Sequence, residues 1–186
     1  MKIILIRHAE VDIDKSSLTY AFELKKWLDI YDHAQIKKDF ISKSEITEIF
    51  NSSDKIFCSR LRRSYDSVAL YGKTPYEQNE LFNEARLPYG NWGWVKLPLV
   101  LWAVIFRAMW LFGYKNNGES IKDAKIRAKK GASKLIESCK NGSSVTLLGH
   151  GLINKLIGKE LLKQGWKIQG KMGNSNWAYG VFSYET

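Results

Sequence analysis

Cysteine, histidine and proline are scarce: the 186 residues hold two cysteines, three histidines and three prolines. Cys58 and Cys139 form no disulfide framework and no CxxC redox or zinc pair. There is no HxH and no H-E-x-x-H, so a metal site is not expected. A Walker loop and a GxGxxG are missing too, and no cofactor is expected. The opening apolar run, Ile3 to Ile6, is too short for a secretory signal. Acidic residues are also in deficit, 19 against 29 Lys and Arg, for a net charge of +10. Such a surface attracts anions: phosphate esters, nucleic acid or an anionic membrane face. A reducing, cytoplasmic setting is the expectation.

What is present fits one soluble domain spanning residues 1–186, with 45% hydrophobic and 26% charged residues and no repeat or linker. Ile3–Ile6 reads as a strand buried on both faces, and Lys55–Cys58 and Ser144–Leu148 read the same way. Leu18 to Tyr31 has a helical apolar period, with Leu18, Phe22, Leu24, Trp27, Leu28 and Tyr31 on one face. A helix through Tyr71 ends at Gly72, and a long one runs from Gly118-Glu119-Ser120 to about Lys140. Tyr76–Leu81 is expected as a strand, Leu152–Leu162 as a helix and Ala178–Tyr184 as a terminal strand. This alternation predicts an α/β fold, a three-layer α/β/α sandwich around a mostly parallel sheet.

Leu97 to Phe112 stands apart: sixteen residues interrupted only by Arg107. A membrane span needs about 20 apolar residues, so a helix packed over the domain is expected, with a membrane-surface or dimer contact as the alternative. Trp92, Trp94, Trp102 and Trp110 put four of the seven tryptophans nearby.

Three strands end in cationic or imidazole groups: Arg7-His8, the cluster Ser59 to Arg63, and Gly149-His150-Gly151. In open α/β sheets ligands bind beyond the carboxyl ends of the strands. There the arginines can fork onto phosphate oxygens. Any one of these residues alone reads as a surface arginine or a core histidine. Two of the three histidines sharing one kind of position weakens that reading.

Leu5-Ile6-Arg7-His8-Ala9-Glu10 resembles the L-x-R-H-G-E signature of the histidine phosphatase superfamily, the phosphoglycerate-mutase-like proteins. Ser59-Arg60-Leu61-Arg62-Arg63 is similar to its S-x-L-x-R. Asn83-Glu84, Gly90-Asn91-Trp92-Gly93, Gly118-Glu119-Ser120 and Gly149-His150-Gly151 follow in the family's order. The resemblance implies a metal-independent phosphatase acting on a small-molecule phosphomonoester. His8 would form a phosphohistidine, Glu84 would serve as general acid and base, and His150 would assist catalysis. Arg7, Arg63, His150 and Gly151 would hold the phosphate, and residues 91–115 would form an apolar lid.

The sequence departs from the pattern at Ala9, which is tolerable at negative φ, and at Asp14, where many members carry a phosphate-donating Asn. Asp14 is expected to point away from the anion, either with Ser16 or Ser17 serving instead or with that contact absent. Two alternatives share the pocket: a mutase that moves the phosphate within its substrate, and a noncatalytic phosphate binder. Lys155, Lys159, Lys163 and Lys167 recur every four residues, but the helix's opposite face is apolar and no nucleic-acid motif accompanies them, so no nucleic-acid partner is expected.

Overall fold

Ile3, Ile4, Leu5 and Ile6 are all fully buried, as a strand covered on both faces requires. The computed structural model describes residues 1–37, 43–116 and 118–185. In chain order its elements are β1 (Lys2–Arg7), the two-residue β2 (Leu18–Thr19), α1 (Leu24–His33), α2 (Ser44–Asn51), β3 (Lys55–Cys58) and α3 (Arg62–Ala69). There follow β4 (Glu77–Gln78), β5 (Leu97–Pro98), α4 (Leu99–Leu111), α5 (Ile121–Ser138), β6 (Ser144–Gly149), α6 (Gly151–Lys163), β7 (Lys167–Gln169) and β8 (Tyr179–Ser183).

The central sheet runs β4-β3-β6-β1-β8-β7. Its β4/β3, β3/β6 and β6/β1 pairings are parallel, whereas β1/β8 and β8/β7 are antiparallel. Alternation of side chains along β1 builds two cores. Ile3 and Leu5 face one side, against Ala128, Ala132 and Leu135 of α5 and Ile153 and Ile157 of α6. Ile4 and Ile6 face the other, against Ile46 and Phe50 of α2 and Val68 of α3. The expected three-layer α/β/α fold is the one observed. Cys58 and Cys139 are buried and unpaired, and burial pushes their thiols up to about 12 and about 11.

Some elements differ from the sequence reading. Leu18–Thr19 does not begin a helix: it pairs antiparallel with Leu97–Pro98, and α1 starts only at Leu24. Leu18 and Phe22 are accordingly exposed. The Tyr76–Leu81 strand shrinks to Glu77–Gln78, because Asn79 accepts the Leu81 N–H and turns the chain into a 3-10 helix. Helix α6 ends at Lys163, so the lysine series breaks before Lys167, which lies on β7. Helix α2 and strand β7 were not anticipated.

Helix α4 is apolar all round. Leu99, Trp102, Phe106 and Trp110 are buried, while Val100, Leu101, Val104 and Leu111 are exposed, as is Phe112 just beyond the helix. Trp102 Nε1 donates to the Thr19 carbonyl (2.7 Å) and Trp110 Nε1 to the Glu119 carbonyl (2.5 Å). Among the described residues no helix is long and apolar enough to cross a membrane. Trp110 joins α4 to the core of β1, α5 and α6. Trp110→Ala should therefore lower the unfolding free energy by about 3–5 kcal/mol, measured by urea denaturation.

Candidate active site

Parallel pairing sets Arg7 opposite Gly149, and His8 N donates to the Gly149 carbonyl (3.1 Å). The chain therefore leaves β1 and β6 side by side, and the His8 and His150 rings stand 4.9 Å apart. Strand β3, on the other side of β6, delivers Ser59 to His150 Nε2 at 2.7 Å. Both imidazoles are buried.

Hydrogen bonding sets the ring protons. A carbonyl only accepts, so His8 Nδ1 donates to Ala9 O (2.6 Å), which leaves its Nε2 with a free lone pair. The Ser59 hydroxyl accepts the Leu61 N–H, and among the described residues the acceptor within reach of its own proton is His150 Nε2. His150 therefore carries its proton on Nδ1, a buried atom with no partner. Two more buried donors around His8 are unpartnered, Arg7 Nε and Arg63 Nε. Burial first, then the Arg63 and Arg7 cations, pulls His8 down to about 3. His150 is lowered by the same burial, then by Arg63, His8 and Arg7.

Arg7, His8, Arg63 and Glu84 line one cavity of about 490 Å³. His150 and Gly151 are not among its lining residues: the His150 ring stands behind that of His8, and Gly151 borders Arg7, where an added Cβ would stand 3.8 Å from the guanidinium. Glu84 also reaches the amino end of α6: Oε2 accepts from Leu152 N (3.1 Å), and Oε1 from Ile153 N (3.0 Å) and Ala85 N (2.9 Å). It is a cavity carboxylate and a helix cap together.

The two departures have simple outcomes. Among the described residues Trp177 is the only non-glycine at positive φ, so the Ala9 methyl meets no backbone strain. Asp14 is exposed and does not line the cavity; it accepts the Ser16 N–H (2.8 Å) and hydroxyl (2.7 Å). Lys15 lines the cavity, whereas Ser16 and Ser17 do not.

Several supports were not anticipated. Asp32 on α1 pairs with buried Arg63 at 2.7 Å, and the same guanidinium lies 4.8 Å from the Tyr31 ring centroid. Arg127 on α5 pairs with Glu119 (2.7 Å) and donates to the carbonyls of Leu81 and Asn83, fixing the approach to Glu84. The segment before β8 holds the end of β1: Arg7 donates to Asn174 O, Asn176 Nδ2 to His8 O (2.7 Å) and Trp177 N to Arg7 O (3.0 Å). None of these carries a local sequence signal beyond its residue type.

The profile of the histidine phosphatase superfamily (branch 1) matches residues 47–186. The chain belongs to this superfamily. The match begins after Arg7-His8, but the histidine phosphatase likeness of the fold extends over nearly the whole chain. The structure of the Mycobacterium tuberculosis open reading frame Rv3214 is similar over 99% of this chain and 91% of its own, with 18% identity and a TM-score of 0.65. A phosphoserine phosphatase from Entamoeba histolytica, in complex with phosphoserine, is similar over 99% and 91%, with 19% identity and a TM-score of 0.60. A mycobacterial glucosyl-3-phosphoglycerate phosphatase is similar over 98% and 92%, with 20% identity and a TM-score of 0.61. A comparison with curated protein sequences finds no match.

Two predictions follow from the site's charges. His8 is lowered in the folded state relative to the ordinary imidazole value of 6.5, so the folded protein binds fewer protons than the unfolded chain. The stability contributed by its neutral form is fully present above pH 6.5 and is lost as pH falls toward 3. Between pH 7 and pH 4, the wild type should lose about 3 kcal/mol more unfolding free energy than His8→Asn, read from urea denaturation at each pH. Asp32 holds Arg63 in an ion pair with which any anion at that guanidinium must compete. Asp32→Asn should tighten competitive binding of inorganic phosphate roughly three- to fivefold, measured by isothermal titration calorimetry.

Proposed function

We propose that this histidine phosphatase superfamily member hydrolyses a small-molecule phosphomonoester through a phosphohistidine on His8. The observation that carries the reading is the neutral His8, tied off at Nδ1 and surrounded by the unpartnered donors Arg7 Nε, Arg63 Nε and His150 Nδ1. Three N–H groups aimed at no protein acceptor suit the oxygens of a phosphoryl group whose charge grows during transfer. The solved relatives named as phosphatases support the same class of substrate.

In the first step His8 Nε2 donates its lone pair to phosphorus, and the bond from phosphorus to the ester oxygen breaks. Glu84 supplies the proton that the leaving oxygen needs. Oε2 is the suitable atom: Oε1 accepts two N–H groups, whereas Oε2 accepts one and keeps a lone pair for the proton. In the second step Glu84 takes a proton from water, the water oxygen attacks phosphorus, and the N–P bond breaks to release inorganic phosphate. His8 returns to its neutral form. No step requires a metal or cofactor. Residues 91–115 act as the covering segment, since Ala103 and Arg107 of α4 reach the cavity wall.

His8→Ala should abolish turnover across a phosphomonoester panel, and the wild type should accumulate an acid-labile phosphoenzyme. Glu84→Gln should lower kcat at least about 100-fold while shifting Tm by only a few degrees, because the amide oxygen still accepts from α6. Isomerised phosphoester in place of free phosphate would make the protein a mutase. Phosphate binding without turnover would make it a binder.

A further inference from the structure

Arg107 enters the cavity from the middle of the otherwise apolar α4. Its Nη2 donates to the Ala85 carbonyl at 3.1 Å, but its Nη1 is buried without a partner. The acids that act on it electrostatically are Glu84 and Glu119. Neither is hydrogen-bonded to it: Glu84 is taken by the amino end of α6 and Glu119 by Arg127, at 2.8 and 2.7 Å. Among the described residues, Arg107 is therefore a half-buried cation with no carboxylate bound to it. Trp27 of α1 lines the same cavity, and its Nε1 is a second buried donor without a partner.

A buried donor left without an acceptor is costly, and a charged one more so. The phosphoryl cradle of Arg7, Arg63 and His150 does not use these two donors. The same cavity is lined by Leu28, Leu87, Tyr89 and Ala103, which suit a carbon skeleton, and its acids Asp29, Asp32 and Glu84 make no ion pair with Arg107 among the described residues. We infer that Arg107 and Trp27 form a second anion subsite, so that the preferred substrate is a phosphomonoester whose leaving group ends in a second anionic group. Arg107 supplies the charge and a forked donor, and Trp27 a single N–H. The subsite rests on the phosphatase reading for its role in turnover, but its binding preference stands independently of the chemistry.

Two matched pairs of compounds test it, each pair differing in the anionic group alone: 3-phosphoglycerate against glycerol 3-phosphate, and 4-carboxyphenyl phosphate against 4-methylphenyl phosphate. The wild type should favour the carboxylate in at least one pair by tenfold or more in kcat/KM. Arg107→Met should reduce that ratio to within twofold, whatever its effect on the absolute rate of the uncharged compound, and Trp27→Phe should reduce it partly. Titrating the same pairs calorimetrically into His8→Ala protein, with and without Arg107→Met, reads the preference without turnover. No carboxylate preference in either pair, or a preference that survives Arg107→Met, overturns the subsite. Failure to hydrolyse any of the four compounds overturns the phosphatase reading instead, and the calorimetric ratio then decides the subsite alone.

Discussion

The parallel pairing of β1 with β6 is the constraint on which the site depends. With Arg7 opposite Gly149, two strands that each end in a histidine release their chains at the same level. A slip of one residue would turn Ile3 to Ile6 over and exchange the contents of the two cores, which buried surface on both faces forbids. Asn154 locks the register from α6 by donating to the Ile6 carbonyl at 2.9 Å. Gly149 has no Cβ because one there would collide with the Asn154 amide. The strand that leads into His8, the strand that leads into His150 and the helix whose amino end meets Glu84 are thus one mechanical unit.

Charge at this unit is arranged by withholding partners. Two imidazoles kept neutral by burial stand beside two arginines that cannot lose their protons, and several of the donors involved have no protein acceptor. Other contacts offset part of the cost: Asp32 on Arg63, the Asn174 carbonyl on Arg7. The net charge of +10 thus divides into a few enclosed guanidinium groups with chemical work and many lysines on outer faces, including the exposed Lys155, Lys159 and Lys163 of α6.

The parts legible in the sequence were those whose signal is local. Four-residue apolar runs identify the buried strands, and the ordered motifs place His8, Arg63, Glu84 and His150 at strand ends and loops. What escaped depends on contacts made across the fold. Arg127 sits among the lysines of α5 and looks like one more solvated cation until the carbonyls of residues 81 and 83 are brought to it. Asp32 looks like an exposed helix acid until α3 swings Arg63 against it. The apolar period through Leu18 and Phe22 is genuine, yet Leu18–Thr19 pairs as a strand with Leu97–Pro98, a partner some 80 positions away that no local window contains.

The all-apolar character of α4 has a consequence for how it is aimed. Most surface helices are turned to a definite angle about their own axis by the boundary between oily and wet faces, and α4 offers little of that boundary. Its polar groups settle the angle instead: the indole N–H of Trp102, the guanidinium of Arg107 and the indole N–H of Trp110 each donate to a different backbone carbonyl, at Thr19, Ala85 and Glu119. Turning the helix by one residue, about 100°, would leave apolar contact much as before but strand all three donors. A segment whose burial is almost indifferent to rotation is thereby indexed by three hydrogen bonds, and the middle one is the arginine that faces the cavity.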